Sequence, residues 1–592
     1  MEVLENLAVV RRTPDYRNGA GEGSTAILVD SRKSLQSRYL VCYDAIMRTS
    51  RFFPVAILAV VLSAIAGGAL GGSLMARQDE VAQQYKIFTS ALDAIAKEYV
   101  DELPPDRLVY GAIDGMLKQL DPHSSFFDPR SYRQLRERQQ GSYFGLGIQI
   151  QVLDGDITVM SIFEGSPAYK KGLRRNDVIA RINGEDAKGW SADDAVSKLK
   201  GPKGTTVNIS LRRRGYDGLI DLEIERDAVN MSTVRGAFMI DKETGYVKLG
   251  DFSETSNDEV GNALKALSAK GMKRLILDLR DNPGGPLDQA IKISNRFLPK
   301  GELIAYTRGR TANSNEEYRA TEDSDYTHQP LVVLVNRSSA SASEIVSGAL
   351  QDHDRGLIVG ETTFGKALVQ SVYSIGSRTS GGAGLALTTG RYYTPSGRMI
   401  QRPWDGAFDE YLTYSLRDQS AARSHDSAEL RYTDGKRKVY GGGGIEPDKF
   451  LAGPIEGFNP TRFGRTLWAR QTFANFADQF VAEGDTRMSA ANKNQKRIAR
   501  GFTVTDAMLG EYKSLLRSQK ITIDEESFAK DDAFIRAMIH YDIDLALFGV
   551  EEARRNLVAK DPQAQFALQQ FPEAVKLTEL ARARVTGNDR DR

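Results

Sequence analysis

The sequence predicts an α/β domain at its centre, and three observations predict it. Four short apolar runs, Tyr246–Leu249, Leu275–Leu279, Leu331–Val335 and Leu357–Gly360, have the length and aliphatic content of strands buried on both faces. Between the first two, Val260, Ala263, Leu264 and Leu267 recur at helical spacing. Ser256–Glu259 reads as a capping box at the start of that helix, and Gly271 is placed to end it. After the third run, residues 343 to about 351 carry Ile345, Val346, Ala349 and Leu350, so strand again leads to helix. Such alternation gives a sheet covered by helices.

The chain around this centre is long. At 592 residues it exceeds a single core, and about three to five domains are expected. A formal net charge of +1 gives no global electrostatic case for nucleic acid, and 41% hydrophobic content argues against a wholly disordered chain. Residues 52–76 contain no charge; Arg48 and Arg51 precede them and Arg77 follows. Residues 47–76 therefore read as a signal peptide or a membrane anchor, with the N-terminus on the cytoplasmic side. Ala64-Ile65-Ala66 has the small-x-small form of a cleavage site, and the Gly-rich 67–72 that follows is poor helix, which favours removal. Residues 1–46 read as a disordered tail or an over-extended start. Either way the rest is exported, through or tethered to an inner membrane, into a bacterial periplasm or envelope. The single cysteine, Cys42, precedes the segment, so no disulfide framework and no thiol catalysis exist beyond it. His123, His328, His353, His425 and His540 are scattered without metal-ligand spacing, and no metal or cofactor is expected.

Residues 77–140 read as helical, from Tyr85 to about Leu135, with Ile87, Leu92, Ile95 and Ala96 on one face and a break at Pro104-Pro105. A second helix over 106–120 should end before Asp121-Pro122. Residues 141–227 change character: Ile148–Val152 and Val207–Leu211 alternate as strands, punctuated by Asp154-Gly155, Asn183-Gly184 and Gly201-Pro202. Ser191-Ala192-Asp193-Asp194 is a capping box opening a short helix through Leu199. The α/β domain occupies 228–453 and includes a polar stretch, Asp405–Lys438, expected to be a mobile insertion. Residues 454–592 read as a helical accessory region with a core around Phe534, Met538, Ile539 and Leu545–Phe548, and no chemistry.

The chemistry concentrates after the third strand. A Ser/Ala run alone is more often a linker, but Ser339-Ala340-Ser341-Ala342-Ser343 lies between an aliphatic strand and an amphipathic helix. Ser341 would sit just before that helix, where the Ala342 N–H could face an oxyanion. A serine hydroxyl needs a base. No histidine is placed to serve, whereas Lys366, flanked by Phe364 and Ala367-Leu368-Val369, has desolvating neighbours. A lone lysine is ordinarily a solvated charge; here Gln370 could hold the amine without adding a charge that raises its pKa. The turn Asn282-Pro283-Gly284-Gly285, directly after the second strand, can supply a further N–H, although such a turn is equally good as a plain strand ending. Together these point to a serine protease with a lysine base. In the middle region, Gly145-Leu146-Gly147-Ile148 leads into a strand, and its N–H groups can capture a terminal carboxylate while the strand edge takes up an extended peptide.

At these positions the chain resembles the carboxy-terminal processing (tail-specific) proteases. The resemblance spans about 85–448 and rests on Leu120-Asp121-Pro122-His123-Ser124, the Gly145–Ile148 loop, Asn282–Gly285, Ser339–Ile345, Gly365-Lys366, Thr394-Pro395-Ser396-Gly397 and Gly443–Asp448. It implies a crotonase-like serine protease core joined to a PDZ domain at 141–227. It implies Ser341 as nucleophile, Lys366 as general base, Gln370 orienting it and Glu344 as a supporting polar residue. The N–H groups of Ala342 and Gly284, with Gly285 as the near alternative, would form the oxyanion hole. Arg337-Ser338 departs from the family pattern, where a glycine is common. The implied substrates are proteins or peptides with free C-terminal tails, with room for an adaptor lipoprotein and for self-association. Two other classes compete: a silent PDZ scaffold or chaperone of the envelope, which loss of Ser341 or Lys366 would have favoured, and a crotonase-type acyl-CoA enzyme, which accounts for neither the Ser–Lys pair nor the PDZ domain.

Overall fold

The computed structural model describes residues 81–213, 216–376, 382–404, 408–416, 426–453, 460–482 and 498–588. The N-terminal tail and the uncharged segment at 52–76 lie outside them, and no described helix is long and apolar enough to cross a membrane. The chain divides into two units, residues 1–109 and 110–592. Described residues of the first form a helix over 81–98 and, after Pro104, the opening of the helix Pro105–Leu117. The helical reading toward Leu135 is corrected. Ser125–Phe127 is a strand, and a separate helix Pro129–Gln140 is capped by Asp128, which accepts from Ser131 N at 2.7 Å.

In the second unit a six-stranded sheet runs in the order Val234–Met239, Thr244–Leu249, Arg274–Asp278, Leu331–Val335, Leu357–Gly360, Lys449–Phe450. All pairs but the first are parallel. Because side chains alternate along a strand, the register sorts the apolar residues into two rows. Val247, Leu277, Val333 and Ile358 lie side by side and face the helices Ser256–Ala269, Leu287–Asn295 and Ala342–Asp352. Tyr246, Ile276, Val332 and Leu357 form the other row and face Val558, Ala564, Ala567, Phe571, Ala574 and Leu577. Each such aliphatic side chain, fully buried, stabilises by about 1.5–3 kcal/mol. The last three helices, Val550–Val558, Pro562–Gln569 and Phe571–Asn588, are thus the second layer of the sheet rather than an appendage. The helices between residues 462 and 548 pack around a separate core of Phe473, Phe476, Tyr512, Leu516, Ile535 and Ile539.

One local expectation fails. Ser256 does not cap its helix; its Oγ accepts from Ser253 N at 2.8 Å, inside the first turn. Glu259 instead reaches back to the Thr255 hydroxyl at 2.7 Å and to Thr233 N and Val234 N at 2.8 and 3.0 Å. The Ser191 capping box forms as read, and its helix is Ala192–Leu199.

The region of residues 142–230 folds as a strand sheet ordered Ile148–Leu153, Asp156–Ile162, Val178–Ile182, Thr206–Arg212, Ile220–Glu225, so Ile148–Leu153 is an edge. Ser142–Gly145 pairs with Asp227–Asn230 where the chain enters and leaves. On its flank, Arg175 pairs with Asp542 at 2.6 Å, and Arg175 and Asn176 bond Gln471 and Asp478 of the helical region.

Candidate active site

Ser341 stands immediately before the helix Ala342–Asp352, at φ 52° and ψ −110°. A non-glycine residue there is strained by about 1–3 kcal/mol, and the surroundings must over-determine it. They do. The N–H of Ser341 donates to Glu344 Oε2 at 2.8 Å, and its carbonyl accepts from Glu344 N at 2.8 Å, Ile345 N at 3.0 Å and the Tyr392 hydroxyl at 3.2 Å. The sharp turn from strand to helix leaves the Ala342 N–H without a hydrogen bond among the described residues, as helix starts do.

Lys366 reaches the same place through the same carboxylate. Its N–H donates to Glu344 Oε2 at 2.9 Å, and the Tyr392 hydroxyl that bonds the Ser341 carbonyl also bonds the Lys366 carbonyl, at 2.8 Å. Thr363 Oγ1 and Gly365 N complete the Glu344 set, at 2.5 and 2.6 Å from Oε1. Glu344 is fully buried, and burial raises its pKa although all four donors work against that. No cation is hydrogen-bonded to it among the described residues; neutral donors alone hold it.

The Lys366 ammonium donates to Gln370 Oε1 at 3.0 Å, and Gln370 Nε2 donates to the His123 carbonyl at 2.5 Å. Burial lowers the Lys366 pKa, opposed by the charges of Glu344 and Asp121. The loop that brings His123 here is built by Asp121, whose carboxylate accepts from His123 N, Ser124 N and Ser124 Oγ at 2.7–2.9 Å. Ser124 Oγ then accepts from Thr388 N at 3.1 Å, tying the loop to the long strand Ala383–Tyr393. The imidazole of His123 is pushed down to about 4 by burial and by the neighbouring Lys366 charge, so it is neutral at pH 7. Its Nε2 lies 2.5 Å from the Tyr411 hydroxyl.

Tyr411 lies in the stretch expected to be a mobile insertion. It belongs to the helix Phe408–Leu412, is 1% exposed, and its ring meets Phe364 edge-on at 5.2 Å. Tyr411 thereby packs against the His123 loop and against Phe364, two residues before Lys366. Residues 405–407 and 417–425 lie outside the described residues.

The turn Asn282–Gly285 lies against Ser341. A Cβ on Gly284, at φ 95°, would stand 2.7 Å from the Ala340 carbonyl oxygen, 2.8 Å from Ala342 N and 2.9 Å from Ser341 Cβ, so only glycine fits. The expected oxyanion donor at Gly284 is corrected, because its N–H donates to Asn282 Oδ1 at 2.9 Å. The Gly285 N–H has no partner among the described residues. Asn282 in turn accepts from Ala340 N and Ser343 Oγ, each at 3.0 Å, locking turn and serine loop together.

The structure thus brings Ser341, Ala342, Glu344, Lys366, Gln370 and Gly284 into one cluster. Sequence reasoning missed Thr363, Tyr392 and Tyr411 as parts of it, and read the Asn282 turn for its N–H groups without the bonds Asn282 makes; single hydroxyls outside the quoted motifs leave no local pattern. Gly145, Leu146, Gly147 and Ile148 lie elsewhere. There the carbonyls of Leu146 and Gly147 accept from Ala168 N and Phe163 N, both at 2.9 Å, at the start of the edge strand. Glu302, His353 and Asp434 have the spacing of metal ligands, but the Arg584 guanidinium pairs with both carboxylates and fills the role of a cation.

Comparison with known proteins places the whole. Residues 243–406 match Peptidase family S41, residues 134–212 a PDZ domain, and residues 71–131 the activating protease CtpB N-terminal domain. A carboxy-terminal-processing protease of Bartonella bacilliformis is 38% identical over 323 residues, which is 54% of this chain and 73% of that protein. Carboxy-terminal processing protease CtpA of Bacillus subtilis is 35% identical over 395 residues, 66% of this chain and 81% of its own. A carboxyl-terminal-processing protease of Synechocystis is 37% identical over 301 residues, 50% of this chain and 68% of its own. The chain belongs to the carboxy-terminal processing proteases, serine-type peptidases of family S41 that carry a PDZ domain.

Proposed function

We propose that this is an exported endopeptidase in which Ser341 is the nucleophile and Lys366 its general base, acting on proteins held by their free C-terminal tails. One observation carries the reading: a single oxygen of buried Glu344 accepts from the main chains of both Ser341 and Lys366, while the lysine amine faces a neutral acceptor, Gln370. Burial favours the neutral amine, which has a lone pair for the Ser341 proton. Oγ then attacks the scissile carbonyl, and the N–H groups of Ala342 and Gly285 receive the developing oxyanion. The lysine returns its proton to the leaving amine, and water, activated by the same lysine, releases the acyl-enzyme. The loop Gly145–Ile148 takes the substrate's terminal carboxylate on its N–H groups, and the edge strand Ile148–Leu153 adds the tail as a further strand. Export rests on the uncharged segment at 52–76.

The test is cleavage of an unfolded reporter with and without an apolar C-terminal tail, by wild type, Ser341→Ala and Lys366→Ala. Both variants should lose cleavage, and removing the tail should depress the wild-type rate. Unchanged cutting by Ser341→Ala overturns the site. Equal cleavage of tailed and untailed reporters overturns the tail recognition.

A further inference from the structure

We infer that Asp561 and Gln563, at the start of the helix Pro562–Gln569, are positioning residues for the catalytic turn; this rests on the Ser–Lys reading above. They lie far beyond residue 406, where the match to the peptidase family ends. The link is Arg280, two residues before the turn Asn282–Gly285. Its guanidinium reaches Asp278 through Nε at 3.0 and 3.1 Å and through Nη2 at 2.6 Å. Nη2 also pairs with Asp561 at 2.7 Å, and Nη1 donates to Gln563 Oε1 at 2.9 Å. The main chain is held as well: Lys248 Nζ donates to the Arg280 carbonyl at 2.6 Å.

Charge explains why Asp561 is needed. Asp278 is fully buried and faces two cations, Arg280 and Lys248, at 2.6 and 3.1 Å. One carboxylate cannot neutralise both in a desolvated site, and Asp561 supplies the second anion. A planar guanidinium clamped on three sides fixes the backbone that carries it.

From Arg280 the order passes directly into the site. Asp281 and Asn336 exchange hydrogen bonds at 2.8 and 2.9 Å, Asn282 binds Ala340 and Ser343, and Gly284 touches Ser341. Gln563 also reaches the other side. Its Nε2 donates to the Leu451 carbonyl at 3.2 Å; two residues on, Gly453 N donates to Glu361 Oε1 at 2.9 Å. Glu361 pairs at 2.5 Å with Arg337, in the loop leading to Ser341. One helix start therefore steadies both the turn and the serine loop that face each other across the reacting atoms.

The experiment uses the full chain and compares Asp561→Asn, Asp561→Glu and Gln563→Ala with Arg584→Ala. The last removes a different ion pair between the C-terminal helices and the core, with Glu302 and Asp434. Steady-state cleavage of the tailed reporter, binding of a tail peptide and thermal midpoint are measured together, with Ser341→Ala as control. Positioning predicts that Asp561→Asn lowers kcat by about tenfold or more, with KM and peptide affinity unchanged. Asp561→Glu should recover part of the loss. Arg584→Ala should lower the thermal midpoint as much or more while kcat well below that midpoint stays at the wild-type value. If kcat falls only with the folded fraction, or equally in Arg584→Ala, Asp561 is merely structural and the inference fails. An active Ser341→Ala overturns the Ser–Lys reading and this inference with it, whereas an inert Ser341→Ala beside an unimpaired Asp561→Asn overturns this inference alone.

Discussion

Two carboxylates, Glu344 and Asp278, are both 0% exposed and belong to the elements that carry Ser341 and the Asn282–Gly285 turn, yet the protein treats them oppositely. Asp278 is ion-paired: burial alone would raise its pKa, but Arg280 and Lys248 outweigh it and hold the carboxyl well below the usual range. Glu344 is surrounded by N–H and O–H donors only, and burial keeps its pKa raised. Asp278 anchors the sheet end, where strong pairing is useful. Glu344 sits beside Lys366, where a second cation or a tight pair would interfere with the lysine. A full salt bridge between Glu344 and the Lys366 amine would hold the amine protonated; binding the lysine through its backbone N–H avoids that. The difference is between a charge used to hold structure and one used to arrange neutral partners.

The largest effect should come from removing the arranging carboxylate. Glu344→Ala leaves four buried donors unpaired and releases the strained Ser341, and cleavage should fall on the order of 10³-fold. Glu344→Gln, which turns an NH₂ group against N–H donors, should fall nearly as far. Asp278→Asn should instead unfold the protein more readily, by about 3–5 kcal/mol in denaturant titration, because it takes the carboxylate from Lys248 and leaves Arg280 with Asp561 alone. If Asp278→Asn were as stable as wild type, the contrast would break.

The two also differ in their response to pH. Asp278, depressed in the fold, contributes stability that is present above the unfolded carboxyl pKa and is lost as pH falls through the folded value. Glu344, raised in the fold, costs stability as pH rises from the unfolded toward the folded value. Chemical denaturation of wild type and Glu344→Gln across acid and neutral pH checks the second sign: the wild-type curve should fall relative to the variant as pH increases.

Smaller effects sharpen the picture at the edges. Tyr411→Phe removes the hydroxyl beside His123 and should lower kcat by a few-fold, about 1 kcal/mol, with tail-peptide affinity unchanged. Asp478, raised to about 6 by burial against the PDZ flank, should make stability decline between about pH 4 and 6; Asp478→Asn should flatten that decline.

Much of this was legible in the sequence for a physical reason. Strands buried on both faces must be continuously apolar, so the four parallel strands announced themselves, and a serine between such a strand and an amphipathic helix could not be a linker. The same strands implied a layer on each face, but not which residues supply the second. Val558, Ala564, Ala567, Phe571, Ala574 and Leu577 read as an ordinary apolar helix stripe until they meet Tyr246, Ile276 and Val332. Tyr411 against His123 and Gln370 against the His123 carbonyl join residues hundreds of positions apart, and no local spacing encodes them. The Gly284 donor failed for a local reason: the Asn282 side chain, two residues earlier, folds back to accept its N–H.

The central claim is that Lys366, desolvated and held by Gln370, is the base. The most direct measurement is the rate of Ser341 phosphonylation by a fluorophosphonate, with release of fluoride, as a function of pH, in wild type and Lys366→Ala. The account predicts a wild-type rate that rises with pH through one ionisation lying below the ordinary lysine value, and a variant that is slow and lacks this limb. An unchanged limb in Lys366→Ala would contradict it.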